Sequence, residues 1–218
     1  MRLHTLEISA GAVRELREKT GSGIMDCKKA LAYAKGDIDK AVTFLREKGL
    51  STAEKKASRA ASEGSVYAYI HSGGKVGVLV EVNCETDFVA RTEGFTSLVK
   101  DIAMHIAAMS PQYVSRKDVP ADIIERERRI YAAQARESGK PANVIEKMVD
   151  GKVEKFYKET CLMEQPFVKN PEVTVEKLVI EAIAKLGENI SVRRFVRFKV
   201  GEGMEKRSSD LKAEVASL

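Results

Sequence analysis

The sequence predicts an α+β fold: a three-helix module followed by a small antiparallel sheet that is covered by helices. Apolar residues recur at helical spacing from residue 10 to residue 50, and the period changes to two from Gly64 onward. Helical spacing then returns before a last alternating segment near residue 196. A chain of 218 residues is long enough for one sizeable domain and a smaller one. Helices and strands segregated in this way are typical of the α+β class.

Residues 1–50 are predicted to form the three-helix module. Gly21 and Gly23 interrupt the first apolar stripe, Gly36 ends the second, and Gly49 is expected to end the third. A module of this size has a core of only a handful of side chains. The three predicted buried faces are Ala12, Val13 and Leu16; Ile24, Cys27, Leu31 and Ala34; and Ile38, Ala41, Val42 and Leu45.

The next segment, residues 51–63, is predicted to be a linker helix. It is rich in alanine and charge, and Ser51 and Glu54 have the spacing of a capping box. Because no strong apolar stripe runs through it, we expect a domain boundary near Gly64. At the other end of the chain, residues 201–218 are polar and are expected to form a loosely held tail.

The core domain is predicted to cover residues 64–200 and to begin with a β-hairpin. Two alternating segments flank Ser72–Gly74, which supplies the turn. A third strand is expected late in the chain, with its apolar residues on one shared face. The alternating residues are Val66, Ala68 and Ile70; Val76, Val78, Val80 and Val82; and Val192, Val196, Phe198 and Val200.

Between the strands, two long apolar stripes predict helices that cover the sheet. The second of these helices is expected to end at Gly187. Pro120 and Pro141 are typical of helix starts and predict two further helices. The stripes are Phe95, Leu98, Val99, Ile102 and Ile106, and then Val175, Leu178, Val179, Ala182, Ile183 and Leu186.

Composition excludes several classes of protein. No stretch approaches the roughly 20 apolar residues that a membrane helix needs, and residues 1–5 lack the apolar core of a signal peptide. Cys27, Cys84 and Cys161 lie far apart, which favours a reducing compartment over a disulfide framework or a CxxC metal site. We therefore expect a cytoplasmic protein. No paired-carboxylate or histidine-rich arrangement suggests a metal or another cofactor.

The net charge of +5 raises the alternative of an RNA- or ribosome-binding protein. Its basic residues would be Arg193, Arg194, Arg197 and Lys199 on the last strand. The 37 basic residues are, however, interspersed with 32 acidic ones, which is typical of a solvated surface. Aromatic residues make up only 6% of the chain, so there is little on which bases could stack. No specific nucleic acid is therefore predicted as a partner.

Two enzymatic interpretations are weaker. Cys84 with His71 or His105 could form a thiol nucleophile and its base, but cysteine is commonly a small buried hydrophobic residue. The glycines near Gly21 suggest a phosphate-binding loop, yet Asp26 stands where that motif needs glycine. We predict neither an enzyme nor direct nucleotide binding.

The segment Asn83–Arg91, with the sequence NCETDFVAR, is the most informative part of the chain. Thr86 is a good N-cap, and Asp87 suits the first turn of a helix. Phe88 follows, either as a core residue or as an aromatic presented outward. The role of Met25 is open as well. It lies off the apolar stripe of its helix and is either an ordinary surface residue or a partner contact.

Asn83–Arg91 resembles the signature of the elongation factor Ts family, and Thr20–Leu31 resembles that family's N-terminal motif. Two long motifs in the right order are specific, and the resemblance covers nearly the whole chain. It continues through Met104–Ala107, Glu164–Val168 and Gly187–Ile190. It implies a guanine nucleotide exchange factor of translation elongation, which acts on elongation factor Tu by binding rather than by covalent catalysis.

The resemblance also assigns residues. It implies that Thr86, Asp87, Phe88 and Val89 form a wedge that disturbs the magnesium side of the partner's nucleotide site. It implies a ubiquitin-associated type of N-terminal module that docks on the partner. The docking residues implied are Ile24, Met25 and Lys28.

The resemblance also bears on the oligomeric state, through the number of hairpin units in the chain. Longer members of the family carry two copies, whereas this chain has a single Gly-Lys-Val-Gly-Val-Leu-Val segment, starting at Gly74. A second protomer could supply the missing unit by two-fold symmetry. We therefore expect a homodimer in a two-plus-two complex, in which His71 makes a second-protomer contact with the partner.

Overall fold

A computed structural model describes residues 8–137 and 139–204 of the chain. Residues 1–5 and most of the predicted tail, from residue 205, lie outside these described residues. Helices precede a small antiparallel sheet and cover one of its faces, so the predicted α+β class is confirmed. The described helices are α1 (Ala10–Thr20), α2 (Ile24–Tyr33), α3 (Ile38–Lys56), α4 (Asp87–Ala90), α5 (Glu93–Met109), α6 (Ala121–Arg136), α7 (Ala142–Thr160) and α8 (Val175–Leu186). The strands are β1 (Glu63–Ile70), β2 (Val76–Cys84), β3 (Pro166–Phe167), β4 (Asn170–Thr174) and β5 (Ile190–Lys199).

The three N-terminal helices form a small core of their own, as predicted. Ser9 and Asp37 cap α1 and α3 by accepting backbone N–H groups, and Gly21 ends α1 in the left-handed conformation. Ile24 departs from the prediction, because it lies exposed at the start of α2 rather than on its buried face. The buried residues of this core are Leu16, Cys27, Ala30, Leu31, Ala34 and Ala41.

Helix α3 does not end at Gly49, contrary to the prediction, but continues to Lys56. A glycine inside a helix costs roughly 0.5–1 kcal/mol relative to alanine. Here α3 packs on α8, and a Cβ atom on Gly49 would lie 3.4 Å from the Cβ of Ala184, an ordinary van der Waals distance. One turn later, Ala53 is buried in the main core. The first half of α3 thus belongs to the N-terminal module, and the second half packs on the core domain.

The main sheet has the order β1-β2-β5, and both pairings are antiparallel. The predicted hairpin and its turn are confirmed. Val78, Val80 and Val82 alternate toward the inner face and are almost completely buried beneath α5 and α8. The predicted stripes on these two helices are confirmed as well, since Phe95 and Val175 are both fully buried.

Strand β5 contains a β-bulge that the sequence pattern did not reveal. Glu81 pairs with Arg194 and Val82 pairs with Val192, so Arg193 is an extra residue. Because one inserted residue reverses the alternation, Val192 faces the core whereas Val196 and Phe198 face outward. The prediction that these apolar residues share one face is therefore wrong.

The bulge is held by a single carboxylate. Arg193 and Arg194 donate to the two oxygens of Glu81 at 2.9 and 2.7 Å. These hydrogen bonds, from Arg193 first, lower the pKa of Glu81. Farther along β5, Arg197 is nearly buried and donates to the backbone oxygen of Ala107. Three of the four basic residues of the RNA-binding alternative are thus engaged within the protein.

Helices α6 and α7 pack against each other as a hairpin, and they begin directly after Pro120 and Pro141, as predicted. Arg116 fastens the base of this hairpin. Its guanidinium bonds Glu154 on α7 and Glu164 beyond it, and it lies 4.5 Å from the centre of the Tyr157 ring.

His105 is fully buried on α5, where its two ring nitrogens have assigned roles. Nδ1 accepts the backbone N–H of Val168 at 3.2 Å, so the proton of the neutral ring is on Nε2, which donates to the Gln165 side-chain oxygen at 3.0 Å. Burial lowers the pKa of His105. A protonated ring would also lose the bond from Val168, because both nitrogens would then be donors.

We expect this histidine to make the stability of the protein pH-dependent. His105 is neutral in the folded state but titrates near its ordinary pKa of about 6.5 once unfolded. The unfolded state therefore binds more protons on acidification. The stability that the neutral His105 contributes to the folded state is lost as the pH falls below about 6.5. Urea unfolding at pH 7.5 and 5.5 should give a smaller unfolding free energy at pH 5.5. A His105→Gln variant should show a shallower dependence, and an unchanged slope would contradict the assignment.

Candidate partner-binding site

The segment 83–91 leaves the sheet at one corner and turns into a single helical turn. Strand β2 ends at Cys84, and Thr86 caps α4, with its hydroxyl oxygen accepting the backbone N–H of Val89 at 3.4 Å. The N-cap prediction for Thr86 is confirmed. A second N-cap, Thr92, starts α5 immediately afterwards. The two caps confine α4 to four residues, and this turn packs against β1 and β2.

Phe88 lies at the tip of this turn with 80% of its surface exposed. The next residues, Val89 and Ala90, turn inward and pack against the main core. A core role for Phe88 is therefore excluded in this structure. The exposed ring is therefore available for contact with a partner.

The charges around Phe88 are modest. Asp87 forms an ion pair with Arg91 one turn later, at 3.0 Å. Both side chains are substantially exposed, so this pair contributes at most about 1 kcal/mol. The carboxylate of Asp87 consequently remains available to a partner that offers a cation or a hydrogen-bond donor.

Glu188, to which the sequence interpretation assigned no role, holds the base of the turn. Its Oε2 accepts the backbone N–H groups of Glu85 and Thr86 at 3.1 and 3.0 Å, and its Oε1 accepts the Thr86 hydroxyl at 2.6 Å. These residues are separated by 102 positions or more in sequence. The only advance signal was the Gly187–Ile190 motif, which carries no indication of its target.

A second set of contacts joins Glu85, Asn189 and Arg59. Glu85 accepts the backbone N–H of Asn189 at 2.6 Å and forms an ion pair with Arg59 at 3.5 Å. The side-chain amide of Asn189 donates to the backbone oxygen of Arg59 at 2.8 Å. The chain just beyond α3 is thereby tied to the segment that precedes Phe88.

The predicted docking residues lie together at the start of α2. The buried face of this helix is formed by Cys27, Ala30 and Leu31. Met25 is therefore turned to solvent, with 64% of its surface exposed, and Ile24 is 55% exposed. Lys28 is exposed one turn after Ile24. The three residues form a small surface with two apolar side chains and one cation.

The docking residues and the Phe88 turn are separate surfaces joined by packed helices. Helix α2 packs on α3, and α3 packs on α8, the helix that leads into Glu188. Lys56 on α3 also donates to the backbone oxygen of Gly187, which ends α8. A partner that contacts both surfaces would therefore bind two sites that are connected through packed helices.

The structure does not support a thiol enzyme. The Cys84 thiol donates to the backbone oxygen of Thr86 at 3.1 Å, and burial raises its pKa. His71 lies beyond the opposite end of the β1–β2 hairpin, next to Tyr69, whose hydroxyl is 3.0 Å from Nδ1. His105 is committed to Gln165 and Val168. Neither histidine is placed to act as a base for Cys84.

The described part of the chain contains neither a candidate metal site nor a candidate membrane span. Among residues 8–137 and 139–204, no group of three or more His, Cys, Asp or Glu side chains could hold a metal ion. No helix within these ranges is long and apolar enough to cross a membrane.

Comparison with known proteins gives a consistent result. A model of the family described as "Elongation factor TS" matches residues 34–202. The chain is 62% identical to the elongation factor Ts of Geobacter sulfurreducens over 212 residues, which cover 97% of this chain and 98% of that protein. It is 61% identical to the elongation factor Ts of Carboxydothermus hydrogenoformans over 210 residues, covering 96% and 97%. Similarity of this extent over almost the entire length means that the chain belongs to the elongation factor Ts family.

Proposed function

We propose that the protein is a guanine nucleotide exchange factor that promotes GDP release from elongation factor Tu. Membership of the elongation factor Ts family supports this role in translation. The exchange factor acts by binding, without covalent catalysis, in the cytoplasm where its partner works. The observation that carries the proposal is Phe88, which is 80% exposed on a turn whose base is clamped by Glu188.

The physical problem is that GDP leaves a GTPase slowly. Backbone amides, a lysine and Mg²⁺ together hold its phosphates, and these contacts must be lost together. A protein that binds the nucleotide-free state more tightly than the GDP-bound state lowers this barrier. By linkage, GDP must weaken the binding of the exchange factor by the same factor. The factor itself needs no nucleotide site.

The wedge supplies the state-dependent contacts in this proposal. Thr86, Asp87, Phe88 and Val89 would enter the partner near the magnesium side of its nucleotide site. Burial of the exposed Phe88 ring would occur only in the complex, so its apolar area would stabilise the complex and not the free protein. Asp87 would compete electrostatically with groups that hold the metal ion.

Docking on the partner is assigned to Ile24, Met25 and Lys28. Their two apolar side chains and single cation suit a small adaptable contact, to which methionine is well matched. Attachment through α2 would raise the local concentration of the wedge at the nucleotide site.

The direct test mixes the chain with elongation factor Tu that carries a fluorescent GDP. Catalytic amounts of the chain should accelerate loss of the bound nucleotide in the presence of excess GTP or GDP. No acceleration at micromolar concentrations would refute the proposed function.

We further propose that the protein acts as a homodimer through the outer face of its sheet. This face carries Val66, Ile70 and Phe198, which are 68%, 66% and 72% exposed. The patch lies opposite the face that α5 and α8 cover. Contiguous apolar surface on a sheet is typical of an interaction site, and two such faces can pack on one another at about 10 Å separation. His71, at the exposed turn of the same hairpin, would then contact the partner of the second protomer.

Charge placed on this face is expected to dissociate the dimer. Phe198→Lys would bury an unpaired ammonium group between the two sheets, which is strongly unfavourable. Sedimentation of the complex with elongation factor Tu should show two chains of each protein for the wild type and one of each for the variant. Ser97→Lys, on the exposed side of α5, is the matched control and should leave the assembly unchanged. A one-to-one wild-type complex would contradict the dimer.

A further inference from the structure

We propose that Glu188 is a positioning residue that pre-organises the Phe88 turn for the partner. The inference rests on the proposed exchange function and adds a residue to it. Glu188 lies 100 positions from Phe88 in sequence and does not belong to the exposed wedge. Its role would be to hold the wedge in its binding orientation before the partner arrives.

The first argument is that α4 cannot hold its own shape. It comprises only Asp87–Ala90, and isolated helices shorter than about 12 residues are marginal in water. Its last two residues, Val89 and Ala90, pack on the core, but they lie on the C-terminal side of Phe88. The N-terminal side needs a separate anchor. The Cys84 thiol donates to the backbone oxygen of Thr86, and Glu85 binds Asn189, but the backbone N–H groups of Glu85 and Thr86 and the Thr86 hydroxyl all converge on Glu188.

The second argument is the chemistry of that anchor. One carboxylate accepts three donors, namely the N–H groups of Glu85 and Thr86 and the hydroxyl of Thr86. Hydrogen bonds to an ionised acceptor are the strong ones. Because the Thr86 hydroxyl donates to Glu188, its lone pairs are free to accept the N–H of Val89 and cap α4. Glu188 thereby sets both the path of the backbone and the orientation of the cap.

The third argument is that Glu188 is itself held. It follows Gly187, whose left-handed conformation (φ 80°) ends α8 and turns the chain toward the corner of the sheet. On one side of Glu188, Lys56 donates to the backbone oxygen of Gly187. On the other side, Glu85 accepts the backbone N–H of Asn189. The anchor therefore connects the wedge to α3, the helix that also carries the docking module.

The first experiment measures the anchor without reference to activity. Amide hydrogen exchange of the full chain should show loss of protection at Glu85 and Thr86 in Glu188→Ala, with protection of the α5 core amides retained. Glu188→Gln keeps one acceptor oxygen and should retain intermediate protection. Unchanged exchange at both amides in Glu188→Ala would overturn the inference, whether or not the chain stimulates GDP release.

The second experiment separates positioning from general stability. With elongation factor Tu and fluorescent GDP, Glu188→Ala should lower the release rate at saturating exchange factor about fivefold or more, with little change in the half-saturating concentration. Glu188→Gln should recover part of the rate. Glu181→Ala, an exposed glutamate on α8, is the matched control and should behave as wild type. A normal saturated rate in Glu188→Ala would overturn the inference.

A double-mutant cycle completes the test. If Glu188 acts through Phe88, the effect of Glu188→Ala on the saturated rate should largely disappear in a Phe88→Ala background. Full additivity of the two substitutions would mean that Glu188 acts elsewhere, and it would overturn the positioning role. Failure of the proposed function is distinguishable, because the wild-type chain would then give no stimulated release at all.

Discussion

Phe88→Ala is expected to reduce stimulated GDP release at least about tenfold while leaving the melting temperature nearly unchanged. Loss of a large aromatic anchor from an interface typically costs 2 kcal/mol or more, which corresponds to more than tenfold. In the free protein, however, 80% of the ring is exposed, so its removal takes little apolar area out of the core. The expected loss is in the saturated release rate, since the proposed docking surface on α2 is untouched.

Phe95→Ala is the matched contrast for this substitution. Phe95 is the same residue type seven positions later, but it is fully buried at the start of α5. Its truncation should cost about 3–5 kcal/mol of unfolding free energy. Asp87→Ala should lower GDP release less than Phe88→Ala, because it removes a charge but no apolar anchor. A Phe88→Ala protein that melts and exchanges GDP like the wild type would remove Phe88 from the mechanism.

The elements that sequence predicted well are those in which local periodicity and burial agree. Val78, Val80 and Val82 alternate on β2 because one face of the hairpin is buried, and the α5 stripe follows the helical period for the same reason. The bulge at Arg193 was not predictable in this way. The extra residue is held by Glu81 on the neighbouring strand, a contact that no local pattern in β5 encodes.

Gly49 is a second case in which tertiary packing overrode a local signal. Glycine is a common helix terminator, which favoured a stop before the linker. In the structure the residue lies inside α3, which continues past it and packs on α8 despite the low helix propensity of glycine. Ala53 continues the same contact into the main core.

The candidate site divides along the same line. Thr86 could be recognised as an N-cap from its neighbours alone. Met25 could be placed on the exposed side of its helix from its position off the apolar stripe, but its role stayed open. Exposure of Phe88 could not be read from the residues around it, because an aromatic after a cap is most often buried. Glu188 could not be connected to the site at all, since its hydrogen-bond partners lie 102 and 103 positions away.

Removal of residues 1–50 is expected to have the second large effect, and of a different kind. The proposed docking residues Ile24, Met25 and Lys28 would be lost, whereas the proposed wedge and its anchor would remain. Of the described residues before β1, from residue 8 onward, only Ala53 is buried in the main core, and the fragment keeps it. We therefore expect the fragment starting at Ser51 to remain folded as judged by circular dichroism.

The kinetic signature of this truncation should be the reverse of that of Phe88→Ala. Loss of apolar docking anchors worth about 2 kcal/mol or more should raise the half-saturating concentration at least about thirtyfold. The saturated release rate should fall much less, because the Phe88 turn is intact. Titration of both variants against elongation factor Tu with fluorescent GDP separates the two parameters.

Lys28→Glu in the full chain tests docking without truncation. Reversal of one exposed charge should slow association up to about fivefold at low salt, with a smaller effect at high salt. Lys29→Glu makes the same charge change at the neighbouring exposed position on α2, about 100° around the helix, and should have the smaller effect.

Two outcomes would contradict these predictions. An unfolded Ser51 fragment would contradict the division into a docking module and a core. Equal effects of the two charge reversals would mean that overall charge, rather than contact at Lys28, governs docking.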